Sequence, residues 1–234
     1  MSPRRTPVSR RDRPAKPPLS RAGTVAVALR IMREEGLERV TMRRLAAELD
    51  TGPASLYVYV HNMAELHGAI LDELLSDLHL PATGGAEDRW RADLRALLTE
   101  YTELLIRYPS LARSVLTLRP SGPNYVRLID RVLGLLHAGG VPTAQAAWGV
   151  DLLLQHCTAT AAEQGTRDEA VEADGEHDLL VEALREAEET DHPDVARARD
   201  DLFSGTGPQR LAWTFEALIA GIHSVAPPRP EPAR

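Results

Sequence analysis

Apolar residues along the first third of the chain recur every three or four positions in short blocks, and small polar residues stand where most blocks begin. Ser20 fits the N-cap of a helix over about 21–35, with Val25, Leu29 and Met32 on one face and Gly36 as its stop. Thr41 fits the cap of a second, short helix carrying Leu45 and Leu49. Asp50-Thr51-Gly52 reads as a turn, and Pro53 suits the first position of a third short helix running to Tyr59 or Val60. Asn62, with Glu65 three residues on, resembles a capping box and opens a helix through about Leu78.

Pro81 to Ala86 reads as a linker, and the pattern beyond it stays helical. One helix is expected over Asp88–Tyr108, a short apolar segment over 111–118, and another helix over Asn124–His137, closed by Gly139-Gly140. Thr143 is expected to cap a helix to about Glu163. Gln164–His177, rich in Gly and acid, reads as a mobile loop. A charged helix follows over about 178–190, and a last apolar helix over Gln209–Val225. No strand alternation and no repeat of 20–50 residues appears. The fold class is all-α: a three-helix N-terminal unit over 19–66, a larger helical domain over 67–225, and arms at 1–18 and 226–234 too rich in proline and charge to bury a core.

Charge divides the same way. Residues 1–63 hold 12 Arg/Lys against 6 Asp/Glu, whereas the remainder holds 15 against 28. A basic end on an acidic body points to one end meeting a polyanion while the other repels it. The single cysteine, Cys157, excludes an internal disulfide, and no metal framework or cofactor motif is present. No apolar run has the length of a membrane span, and the basic start lacks the features of a secretory signal, so a cytoplasmic location is expected.

Two short helices joined by a tight turn form a helix-turn-helix, whose second helix enters the major groove of double-stranded DNA. Leu45, Ala46, Leu49 and Leu56 can seal the pair onto the first helix, which leaves Pro53, Ala54, Ser55, Tyr57 and Tyr59 outside. Ser55 can bond a base edge, the Ala54 methyl can meet a thymine methyl, and the tyrosine hydroxyls suit phosphate oxygens. Thr41, Arg43 and Arg44 add donors and charge at the same backbone.

The stretch Gly36 to Leu49, followed by Gly52-Pro-Ala-Ser-Leu-Tyr-Val-Tyr-Val-His-Asn-Met-Ala-Glu-Leu66, resembles the N-terminal domain of TetR-family regulators over about residues 19–68. The resemblance implies operator contacts at Thr41, Arg43, Arg44, Pro53, Ala54, Ser55, Tyr57, Tyr59 and His61. Two positions depart from the family pattern: Asp50 stands where a turn glycine is usual, and Met63 where a phosphate-binding lysine is common. The basic arm (Arg10, Arg11, Arg13, Lys16) is expected to compensate along the phosphates or in the minor groove.

Resemblance fades beyond residue 70, although helix order fits a ligand-binding and dimerisation domain. The helices over 143–163 and 209–225 carry more apolar surface than one small bundle needs, so a homodimer through them is expected. Such a dimer spaces two reading heads by about one DNA turn, roughly 34–36 Å, or by a longer interval, and requires a pseudo-palindromic operator. Candidate residues for a small-molecule effector are His67, Trp90, Leu94, Leu97, Tyr101, Leu116, Tyr125, Leu128, Ile129, Trp148, Asp151, Leu152 and Gln155, each of which also suits plain core or surface packing. No phosphate loop, nucleophile elbow or zinc-protease motif is present, which argues against an enzyme. The expected function is a ligand-responsive regulator, most simply a repressor; the alternative is a DNA-binding regulator or architectural protein without small-molecule control.

Overall fold

The computed structural model describes residues 19–82, 89–118, 120–169 and 173–228. The expected basic arm, most of the expected linker and residues 229–234 lie outside them; 226–228 have no regular structure. All regular structure among the described residues is helical, and no helix there is long and apolar enough to cross a membrane.

Helix α1 (Arg21–Glu35) starts where Ser20 accepts the Gly23 N–H at 3.1 Å and ends at Gly36. Gly36 has φ 92, a conformation in which an L side chain would be strained, so the stop is written into the residue type. A 3-10 turn (Leu37–Arg39) leads to α2 (Met42–Glu48), where Thr41 accepts from the Arg44 N–H at 3.1 Å. Helix α3 (Pro53–Leu56) is shorter than expected. The Leu56 carbonyl accepts both Tyr59 N–H (2.9 Å) and Val60 N–H (3.0 Å), which tightens the chain into a turn over 57–59. Helix α4 (Met63–Leu75) is capped by Asn62, which accepts from Glu65 N–H at 2.8 Å. The Glu65 carboxylate reaches back one residue further than in a capping box, to His61 N–H at 2.8 Å. After Ser76 the ladder loosens into i→i+3 bonds, so α4 stops short of Leu78.

The larger domain comprises α5 (Trp90–Ile106), α6 (Pro109–Val115), α7 (Pro123–Ala138), α8 (Thr143–Glu169), α9 (Ala173–Glu186), α10 (Pro193–Leu202) and α11 (Gly207–Ser224). Leu94, Leu97, Leu98 and Leu105 of α5 meet Leu153, Cys157 and Ala161 of α8, with Val132 and Leu136 of α7 and Phe215 and Ile219 of α11 completing a buried core. Burying each such side chain stabilises by roughly 1.5–3 kcal/mol before entropy is counted.

Two expectations are corrected. The described residues of the expected loop 164–177 are helical: α8 continues through Glu169 and α9 begins at Ala173. Gly165 lets α8 approach α6, since a Cβ there would lie 2.6 Å from the Pro109 ring, so its role is close packing rather than helix breaking. Helix α10 falls where no helix was expected. It is opened by Pro193 and buries none of its residues, so it lacks the apolar period by which helices are recognised.

Helix α4 packs on α1, α6 and α7 and so joins the two parts. Its Asp72 carboxylate accepts the Tyr125 N–H at 2.9 Å and the Asn124 amide at 3.3 Å, an anion placed on the N-terminus of α7.

Candidate DNA-reading face and effector cavity

Asp50 is the only non-glycine residue with positive φ (48) among the described residues, and it turns the chain between α2 and α3. It therefore performs in the left-handed region the task usually given to glycine, as a short polar residue can. Leu56 is fully buried and anchors α3, while Pro53, Ala54 and Ser55 stay exposed. Tyr57 is 49% exposed and Val58 75% exposed; Tyr59 turns half inward onto the core. Thr41 and Arg43 are exposed beside them at the start of α2.

Two of the expected contacts are otherwise engaged. Arg44 is held by Glu35 (2.9 Å) and Glu48 (3.0 Å), and Glu48 is shared with Arg30 at 2.6 Å. Its side chain, 41% exposed, is thus paired with carboxylates of the head itself. His61 is exposed, but its Nδ1 lies 2.7 Å from the Glu65 carboxylate, which the His61 N–H and, after it, this imidazole hold below the usual carboxylate range. Val58 was missed by sequence reasoning. The signal existed: Leu56 and Val60 are four apart and buried, so the residue midway between them faces away.

The head touches the body through α6. Ser110 donates to the Glu38 carboxylate in the 3-10 turn, and Arg113 donates to Ser110 Oγ (2.8 Å) and to Thr166 Oγ1 of α8 (3.0 Å). These bonds hold Glu38 below its ordinary pKa, the Ser110 hydroxyl contributing most. Further along α6, Ser114 Oγ lies 2.5 Å from His67 Nδ1 of α4. Burial lowers the His67 pKa, which favours the neutral ring.

A cavity of about 370 Å³ opens between α5, α6, α7 and α8. Of the effector candidates, Tyr101, Leu116, Tyr125, Ile129, Asp151 and Gln155 line it. The others do not. Leu94, Leu97 and Leu128 are core; Trp90 packs on Gly139 with Arg91 4.6 Å from its ring centroid; His67 serves the α4–α6 contact. Trp148 and Leu152 are exposed and border a second hollow of about 560 Å³ between α8 and α11. The first cavity's remaining wall includes Val115, Thr117 and Leu118, from the end of α6 and the loop after it, and Leu154 and Thr158 from the middle of α8, none of which sequence reasoning named as a candidate. Cys157, adjacent in sequence, is buried away from chemistry, its thiol pushed up to about 12 by desolvation. No cluster of metal-ligating side chains occurs among the described residues.

Comparison with known proteins agrees with this architecture. Residues 25–70 match the family of bacterial regulatory proteins of the tetR type, and residues 80–225 match the tetracyclin repressor-like C-terminal domain. The HTH-type transcriptional repressor DrrR1 of Streptomyces coeruleorubidus is 30% identical, over 90% of this chain and 82% of its own length. A Streptomyces transcription regulator of known structure, SCO7704, is 53% identical with TM-score 0.76, over 93% of this chain and 100% of its own. The Streptomyces coelicolor TetR family protein ActR, solved in complex with actinorhodin, is 32% identical with TM-score 0.78, over 89% and 97% of the two chains. The relatives are transcriptional regulators, and this chain belongs to the TetR family.

Proposed function

We propose that this chain is a ligand-responsive transcriptional repressor that binds a pseudo-palindromic operator as a homodimer and releases it when a small molecule fills the cavity between α5 and α8. The observation that carries the reading is the exposed run Pro53–Ala54–Ser55 with Tyr57 and Val58, mounted on the buried anchor Leu56. Helix α3 enters the major groove: Ser55 bonds a base edge, while Ala54 and Val58 offer methyl groups to thymine. Tyr57, Thr41 and Arg43 bind phosphates and set the register. Arg44 and His61 act from within the head, by holding α2 to α1 and α4 to the turn before it.

The dimer forms through α8 and α11, where Trp148 (61% exposed) and Trp213 (72% exposed) leave apolar surface that a second copy would cover. Ligand and DNA communicate through α6 as well as α4. Val115 and Leu116 stand in the cavity wall, and Ser110 and Ser114 of the same helix grip Glu38 of the head and His67 of α4. A ligand that shifts α6 tilts the head, and coupling between such sites is typically about 5–150-fold.

The test is selection of duplexes from a random pool, followed by footprinting. Two protected half-sites are expected, and Arg43→Ala should lower the salt slope of binding by about one phosphate equivalent. Binding without sequence preference would identify an architectural protein and overturn the reading.

A further inference from the structure

We propose that the effector is a cationic amphiphile: an apolar molecule of small-drug size whose protonated amine lies against Asp151. The inference rests on the reading of the α5–α8 cavity as the effector site. At about 370 Å³ the cavity lies in the range of small-molecule sites, about 300–1,000 Å³. Its apolar wall is Val115, Leu116, Leu118, Ile129 and Leu154.

Two hydroxyls of the cavity wall have no proton to spare. Thr158 Oγ1 donates to the Leu154 carbonyl at 2.9 Å, so the 3.2 Å contact between Thr158 and Tyr101 must use the tyrosine proton. Both hydroxyl protons are then spent inside the wall, and what the pair has left to offer is lone pairs. Burial pushes the Tyr101 pKa upward, so the phenol stays neutral. Asp151 adds a carboxylate at the rim, with no hydrogen bond or ion pair among the described residues, and Gln155 stands one turn on along α8. No described lining residue is Arg, Lys or His.

The Tyr101–Thr158 pair can only accept from a ligand donor, and the Asp151 carboxylate repels anions. Asp151 also borders the hollow between α8 and α11. Closing a second copy over that hollow would withdraw water from the carboxylate, and an uncompensated anion there is costly unless a cation joins it. The two tyrosine rings give the same preference for positive charge.

The experiment uses the full chain, without DNA, and two tricyclic fluorescent probes of similar size: proflavine, cationic at pH 7, and anthracene-9-carboxylate, anionic. Proflavine should bind at least about tenfold more tightly, a difference expected of one charge-assisted contact. Asp151→Asn should remove most of that preference while leaving the affinity for neutral 9-anthracenemethanol within about twofold, a split that general damage to the wall would not produce. Equal or tighter binding of the anthracene carboxylate would overturn the proposal. Absence of saturable proflavine binding would overturn it too, as would dissociation of the Asp151→Asn dimer, which would assign the carboxylate to the subunit interface. A protein that selects a palindromic duplex yet prefers no cation keeps its repressor reading and loses only this effector class. One that prefers the cation but selects no duplex loses the repressor reading instead.

Discussion

The DNA-reading head and the effector cavity make opposite use of the chain. In the head, nearly every contributing residue lies within one stretch, 41–61, and the scaffold is local: two caps, one left-handed turn and one buried leucine present a short exposed run. The cavity draws its wall from α5, the end of α6 and the loop after it, α7 and α8, so that residues as far apart in sequence as Tyr101 and Thr158 meet in it. A surface built from neighbours in sequence survives small changes elsewhere. A cavity built from distant helices registers any shift among them, which is the property a sensor requires.

The sharpest way to separate the regions is Leu56→Ala. Loss of this anchor of α3 should cost about 2–5 kcal/mol, abolishing sequence-specific DNA binding. Probe binding by the larger domain and the sedimentation of the dimer should be unaffected. Simultaneous loss of both would mean that the regions fold as one unit.

Trp213→Glu should act from the other side. A charge at this exposed tryptophan would block the α8–α11 contact and weaken dimerisation at least about a hundredfold, as for a central interface residue. Operator affinity should collapse with it, while the head's own thermal transition remains. A variant that stays dimeric would place the interface elsewhere.

Ser110→Ala probes the contact between the regions. It removes the bond to Glu38 and one of the bonds of Arg113, so operator affinity should change by less than about threefold, while the response to an effector falls several-fold. Titration of operator binding at fixed and varied effector measures both. An unchanged response would assign the coupling to α4 alone.

The smallest effect is that of pH. Burial lowers the pKa of His67 and of His156, so below about 6.5 the unfolded chain takes up protons that the folded chain resists. Stability should therefore be complete above that value and decline as pH falls through it. Glu38 and Glu65 have lowered pKa values and contribute above their unfolded pKa, with loss only at more acid pH. Thermal unfolding between pH 5 and 8 reads the histidines, and His67→Gln should flatten the decline.

How much could be read in advance follows from the same contrast. Ser20, Thr41, Asn62 and Pro53 marked helix starts because capping is chemistry between residues two or three apart. Asp50 was recognisable as a left-handed turn residue for the same reason. Helix α10 was illegible because a helix that buries nothing carries no period, and Gly165 misled because its purpose is Pro109, far away in sequence. Trp148, Leu152 and Leu128 were grouped with Tyr125 and Asp151 by residue type, and the three-dimensional arrangement sent them to an exposed face and to the core.

The sequence by itself determined the all-helical class, the caps that start the head's helices and the exposure of Pro53, Ala54 and Ser55, since all of these follow from local spacing and backbone preference. Only the tertiary structure decided that Arg44 is held by Glu35 and Glu48, that α6 links Glu38 to the cavity wall, and that the protons of Tyr101 and Thr158 are already spent. Those outcomes depend on which helices meet, and at what distance, and a linear pattern of residue types carries neither.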